Sequence, residues 1–147
     1  MGGFGCLALA WYYPDAFGSA ASLSGAFQIE HTNFLRLVLD AYHGSPKPIR
    51  IYLDSGVTDF MGGDDGCSLT REVAEQFRRI GGGTNLECFV DARPQTAGEL
   101  EKSGLRRDKW VEAQKSQHNE FYWRLRAWRP LTFLFPPETN TPPATIP

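Results

Sequence analysis

Three short apolar segments, separated by helix-like segments, constrain this chain more than any other feature of its sequence. The apolar segments cover residues 19–23, 49–53 and 86–90, and each has the length of a buried strand. The segments that read as helices are 2–13, 32–43, 69–80 and 119–134. Alternation of helices and strands is typical of a parallel sheet covered by helices on both faces. The predicted fold class is therefore α/β, with about three parallel strands flanked by helices.

The length of the chain predicts one folded domain. Its 147 residues and 16.4 kDa match the usual size of a single domain. Apolar residues make up 41% and charged residues 22%, which is typical of a globular protein rather than a disordered one. We expect the domain to cover residues 1–136, and residues 137–147, rich in Pro and Thr, to form a disordered tail.

Charge and composition exclude several classes of partner. Fifteen basic against 17 acidic residues give a formal charge of -2, which is too balanced for a nucleic-acid-binding surface. No apolar run reaches the roughly 18 to 20 residues of a membrane span, and the N-terminus lacks a basic signal region. We therefore expect no nucleic acid, no membrane and a cytoplasmic location. Cys6, Cys67 and Cys88 form no CxxC pair, and no metal, nucleotide or redox motif occurs, so neither a metal nor a cofactor is expected.

Polar side chains follow each predicted strand. Right-handed crossovers bring the carboxyl ends of parallel strands to one edge of the sheet, where α/β proteins build their sites. We expect Asp64 and Asp65, which stand between glycines, to be solvated loop residues; the alternative of a calcium site lacks periodic ligands. The residues predicted at this edge are Ser24, Gln28, Asp54, Asp59, Asp64, Asp65 and His118.

An acidic loop followed by a lone histidine is the second half of the order nucleophile, acid, histidine found in α/β-hydrolases. In these enzymes the nucleophilic serine sits on a Gly-x-Ser-x-Gly turn between a strand and a helix. This pattern occurs nowhere in the 147 residues. The first half of the order is therefore expected upstream of the chain.

Four blocks of sequence extend this likeness. The first resembles the segment after the nucleophile in a Gly-x-Ser-Met-Gly-Gly turn, the second the following strand, the third the acid loop with its Gly-x-x-Asp pattern, and the fourth the histidine and closing helix. The blocks are 1–17, 20–25, 51–59 and 118–135. With them the chain resembles the esterase family of α/β-hydrolases that contains enterochelin-esterase-like enzymes and relatives of esterase D and the mycolyltransferases.

The resemblance implies a C-terminal part of an α/β-hydrolase fold, with the nucleophilic serine directly before Met1. His118 would act as general base, and Asp59 would orient it; Asp54, nearer the strand end, is the alternative acid. The backbone nitrogen of Met1 would be one oxyanion-hole donor, and Trp123 could line the acyl pocket.

The implied activity is hydrolysis of a small-molecule ester through an acyl-serine by the full-length protein. The isolated chain, without the serine, is expected to be inactive. The alternative is a non-catalytic α/β-hydrolase-like binding or oligomerisation module. Such a module would self-associate through the open edge of its sheet.

Overall fold

The fold is described by a computed structural model. It covers residues 2–27, 32–56, 63, 65–81, 86–91, 97–102, 104, 106–109 and 117–137. The strands are β1 (Ser19–Leu23), β2 (Arg50–Gly56) and β3 (Leu86–Asp91). The helices are α1 (Gly2–Tyr12), the π-helix Thr32–Leu39, α2 (Cys67–Arg79), α3 (Ala97–Lys102), the 3-10 turn Arg107–Lys109, α4 (Glu120–Arg126) and α5 (Trp128–Leu134).

The three strands form one parallel sheet in the order β1-β2-β3. Ser22 of β1 lies opposite Leu53, and Leu53 lies opposite Cys88 of β3. Because the sheet is parallel, all three strands end at the same edge. The chain thus combines helices with a parallel sheet, as its sequence predicts for the α/β class.

One face of the sheet holds the main hydrophobic core. Ile51 and Leu53 of β2 point into it, because side chains alternate along a strand. Helices α1 and α2 and the π-helix cover this face, and burial of each large apolar side chain contributes about 1.5–3 kcal/mol. The buried core side chains are Leu7, Ala10, Trp11, Ala20, Phe27, Leu35, Leu39, Ile49, Ile51, Leu53, Val73, Ala74 and Phe77.

The other face of β2 presents Tyr52 and Asp54 to α4 and α5. The rings of Tyr52 and Phe133 lie 6.4 Å apart between centroids. The Arg50 guanidinium stacks over the Phe133 ring and donates to the Phe133 carbonyl at 2.6 Å. These contacts anchor α5 beneath the sheet, on the side where Asp54 is buried.

Three predicted elements differ clearly from the structure. The helix expected over 32–43 is a π-helix that ends at Leu39. The strand expected at 49–53 continues through Asp54 to Gly56, because β3 pairs with it as far as Asp91. The helix expected at 119–134 is divided at Ala127 into α4 and α5. Pro130 explains the division, since proline has no N–H and its ring conflicts with the carbonyl four residues earlier, that of Arg126.

Glycines stand on both sides of α2: Gly66 directly precedes Cys67, and Gly81 comes two residues after Arg79. Gly81, just after the helix, has a φ of 97°, a left-handed conformation in which a residue with a side chain would be strained.

Within the described residues, no helix has both the length and the apolar content that a membrane span needs.

Candidate functional site

Four of the polar residues predicted at the strand ends meet at one edge of the sheet. Ser24 follows β1, Asp54 lies near the end of β2, Asp65 precedes α2, and His118 precedes α4. Gln28, Asp59 and Asp64 lie outside the described residues. The convergence comes from the parallel topology, because these residues are far apart in sequence.

Asp65 is the centre of the site. Its Oδ2 accepts the Ser24 hydroxyl at 2.7 Å and the Gly56 backbone N–H at 2.7 Å. Its Oδ1 pairs with Nδ1 of His118. The carboxyl group is therefore oriented by two donors from the sheet and directs its other oxygen to the imidazole. Asp65 is only 3% exposed, so the expectation that it is a solvated loop residue is wrong.

The contact with Asp65 defines the chemistry of His118. An ionised carboxylate only accepts hydrogen bonds, so the neutral imidazole facing it carries its proton on Nδ1. Nε2 is then the nitrogen with the basic lone pair. This arrangement can remove a proton from a hydroxyl group and hold the imidazolium that results.

The segment before α4 positions His118. Asn119 caps α4, since its Oδ1 accepts the N–H of Tyr122 at 2.8 Å. The edge of the Trp123 ring packs against His118, with 5.2 Å between centroids and 74° between planes. His118 is thus held from one side by Asp65 and from the other by the first turn of α4.

Gly56 allows the close approach of this segment to β2. A Cβ at position 56 would lie 2.2 Å from Cβ of Gln117 and 3.1 Å from Oδ2 of Asp65. Any side chain would therefore push residue 117 or Asp65 away. The missing side chain lets the Gly56 N–H reach the carboxylate.

A buried ion pair of Asp54 and Arg126 is connected to Asp65 through the Ser24 hydroxyl. Arg126 donates from Nε to Oδ2 of Asp54 at 2.8 Å and from Nη2 to Oδ1 at 2.9 Å. The Tyr52 hydroxyl also donates to Asp54, at 3.2 Å. Burial raises the pKa of Asp54 above its ordinary value of 3.8, while the bonds and charge of Arg126 oppose that rise.

The predicted site residues have different positions in the structure. His118 lies against Asp65, and Trp123 lies against His118. Asp54, the alternative acid, lies in the ion pair with Arg126. Asp59 and Met1, the predicted acid and oxyanion-hole donor, lie outside the described residues.

Sequence reasoning missed the roles of Arg126 and Ser24. No motif indicates Arg126, although Tyr122 and Arg126 stand four residues apart on α4 and share one of its faces. In the structure the Arg126 guanidinium packs over the Tyr122 ring at 4.3 Å. The position of Ser24 after a predicted strand indicates the correct edge, but its bond to Asp65 joins residues 41 positions apart.

Among the residues that the structure describes, no three His, Cys, Asp or Glu side chains group as a metal site would require. Comparisons with protein-family models, with curated proteins and with solved structures found no match.

Proposed function

We propose that this chain contributes the general base and its acid partner to a serine-esterase-type hydrolase with an α/β-hydrolase fold. The observation that supports this proposal is the contact of His118 Nδ1 with a buried carboxylate, Asp65, which two further donors orient. The same pairing of imidazole and carboxylate activates serine nucleophiles on several unrelated folds.

In the proposed reaction the nucleophilic serine stands directly before Met1 in a longer reading frame. Nε2 of His118 takes the serine hydroxyl proton while the serine oxygen attacks the carbonyl carbon of a small-molecule ester. The tetrahedral intermediate expels the alcohol, which receives the proton from His118, and leaves an acyl-serine. Water then repeats the sequence, giving the carboxylic acid and restoring the serine.

Other parts of the site have supporting roles in this proposal. The backbone N–H of Met1 would stabilise the oxyanion, because it belongs to the residue after the nucleophile. Trp123 would line the acyl side of the pocket, since its ring packs against His118. The isolated chain should not turn over esters, because it contains no nucleophile turn.

The proposal assigns the acid role to Asp65 instead of Asp59. Asp65 contacts His118, whereas the family resemblance alone pointed to Asp59. An experiment can distinguish the two assignments, because each aspartate can be changed to asparagine in the same protein.

The test uses the upstream-extended protein beside the 147-residue chain. Labelling by a fluorophosphonate probe and hydrolysis of p-nitrophenyl acetate are expected for the extended protein alone. His118→Ala should abolish both, and Asp65→Asn should lower kcat by about 10⁴-fold because the imidazole loses its tautomer and orientation. Asp59→Asn is the matched control and should keep most of the activity. Labelling of neither protein, or a loss confined to Asp59→Asn, would contradict the assignment.

A second candidate is a non-catalytic module that associates through the β1 edge. It is favoured by α1, which is apolar around its whole circumference yet leaves Leu9 and Tyr12 exposed. A helix of that composition is typically buried on all sides. Absence of probe labelling from the extended protein, together with concentration-dependent association, would favour this candidate.

A further inference from the structure

Ser24 has a positive φ and three side-chain hydrogen bonds, which the steps of the proposed reaction do not explain. Ser24 directly follows β1, is buried, and has a φ of 49°, the left-handed region that serine rarely adopts. Its N–H continues the sheet by donating to the Asp54 carbonyl at 2.8 Å. A residue kept in a costly conformation at a site is a candidate for a functional role.

The hydrogen bonds of Ser24 leave its hydroxyl one orientation. A hydroxyl offers one hydrogen to donate and two lone pairs to accept. Both lone pairs are engaged, by Trp123 Nε1 at 2.9 Å and by Arg126 Nη2 at 3.1 Å. Indole and guanidinium nitrogens can only donate, so the hydroxyl hydrogen must point to the remaining neighbour, Oδ2 of Asp65, at 2.7 Å.

The two donors to Ser24 are themselves fixed. Arg126 Nη2 donates both to Ser24 and to Asp54, and its Nε donates to Asp54 as well. A planar guanidinium held by such a fork has little freedom to turn. Trp123 is held in the first part of α4 and packs against the His118 ring.

We propose that Ser24 is a positioning residue, whose hydroxyl, oriented by Arg126 and Trp123, holds Asp65 in line with Nδ1 of His118. Ser24 is then not the nucleophile, because its proton is directed to Asp65. The buried Asp54 and Arg126 pair acts through Ser24 on the orientation of the acid and base. The part that concerns catalysis rests on the proposed hydrolase function.

The test measures the proton on His118 Nδ1 by NMR in the ¹⁵N-labelled 147-residue chain. Exchange of this proton with water reports how firmly Asp65 holds it. Ser24→Ala and Ser24→Gly should each accelerate exchange by about tenfold, the effect of losing one hydrogen bond to a charged group. Ser24→Gly also removes the strain of the positive φ, so equal acceleration in both variants assigns the effect to the hydroxyl.

Ser22→Ala is the matched control. Ser22 lies on β1, two residues before Ser24, and is also buried, but its hydroxyl has no hydrogen-bond partner among the described residues. Its removal should leave the exchange rate unchanged. Wild-type exchange in folded Ser24→Ala and Ser24→Gly, or the same acceleration in Ser22→Ala, would overturn the proposal.

Arg126→Lys tests the orientation step separately. A lysine keeps the positive charge, but its ammonium cannot hold Asp54 through two nitrogens and reach Ser24 in the same plane. Exchange of the His118 proton should accelerate severalfold, by less than in Ser24→Ala. An unchanged rate would refute the contribution of Arg126.

These measurements distinguish the proposal from the proposed function. Proton exchange needs no nucleophile, so slow exchange that depends on Ser24 would support positioning even if the extended protein hydrolyses no ester. In an active extended protein, Ser24→Ala should lower kcat about tenfold with KM unchanged. Full activity of that variant, with accelerated exchange, would refute only the catalytic relevance of the positioning.

Discussion

At the scale of single residues, Gly56 determines how closely residue 117 can approach β2. We expect Gly56→Ala to lower the free energy of unfolding by about 1–3 kcal/mol, because the added Cβ would lie 2.2 Å from Gln117 Cβ. The displacement should also weaken the contact between Asp65 and His118. Denaturant unfolding gives the first effect, and the NMR signal of the His118 Nδ1 proton gives the second.

Gly98 provides the control for this substitution. A Cβ at position 98, in α3, has nothing within 4 Å. Gly98→Ala should therefore raise the free energy of unfolding by about 0.5–1 kcal/mol, since alanine is the better helix former. Equal effects of the two substitutions would show that crowding at Gly56 is not responsible.

Asp54 should give the protein a distinct pH dependence. Burial raises its pKa above 3.8 in the folded protein, so the folded state binds this proton more tightly than the unfolded chain does. The contribution of Asp54 to stability is thus complete below the unfolded pKa and is lost as pH rises through the folded pKa. Wild type should therefore exceed Asp54→Asn in free energy of unfolding by a margin that decreases as pH rises from the unfolded to the folded pKa of Asp54. An advantage that widens with pH would mean that Arg126 outweighs burial.

Residue types alone could predict part of the site. A histidine after an acidic loop suggested His118, and the strand ends suggested Ser24 and Asp54. They could not identify Asp65 as the partner, because the flanking residues Asp64 and Gly66 are typical of a solvated turn. Asp65 is surrounded by the Ser24 hydroxyl just after β1, by the Gly56 N–H of β2 and by His118. His118 is 53 positions away in the sequence.

At the scale of elements, the first turn of α4 connects helix stability to the site. Asn119→Ala should cost about 1 kcal/mol of unfolding free energy, because the Tyr122 N–H loses its acceptor. The neighbouring His118 should become more mobile, which line broadening of its ring signals would report. Asn119→Asp keeps the acceptor and should behave like wild type. A stability loss in Asn119→Asp equal to that of Asn119→Ala would contradict a capping role.

The elements were easier to predict than their ends. Apolar runs and helical spacing indicated β1, β2, β3 and α2, since these patterns reflect burial of one face or both. The extension of β2 depends on pairing with β3, which no local pattern records. The division of the last helix was readable in principle from Pro130, but its apolar spacing continues across the break.

At the scale of the whole molecule, apolar side chains lie exposed on or next to the two helices that contact β1. Helix α1 packs on β1 from one face, and α5 contacts β1 and β2 from the other. Tyr12 of α1 is 57% exposed, and Phe135, just after α5, is 69% exposed. β1 ends the sheet among the described residues, so its outer edge is open to pairing, and the helix α1 that packs on it carries exposed apolar side chains.

This surface leads to a prediction about association. The 147-residue chain should self-associate as its concentration rises, and the pair of changes Leu9→Lys and Tyr12→Lys should weaken the association at least tenfold, equal to about 1.4 kcal/mol. Leu37→Lys is the control, because Leu37 is 66% exposed on the π-helix. Sedimentation velocity measures all three proteins. A monomer at every concentration would contradict the prediction, as would equal weakening by Leu37→Lys.

The upstream-extended protein connects this prediction to the proposed function. If the chain is the C-terminal part of a hydrolase, the preceding residues should supply a strand beside β1 and a cover for α1, because a parallel edge and an apolar helix are both stabilised by burial. The extended protein should then be monomeric and labelled by the fluorophosphonate probe, and Leu9→Lys with Tyr12→Lys should destabilise it. Association that persists in the extended protein, without labelling, would instead favour a module whose function is to bind through the β1 edge.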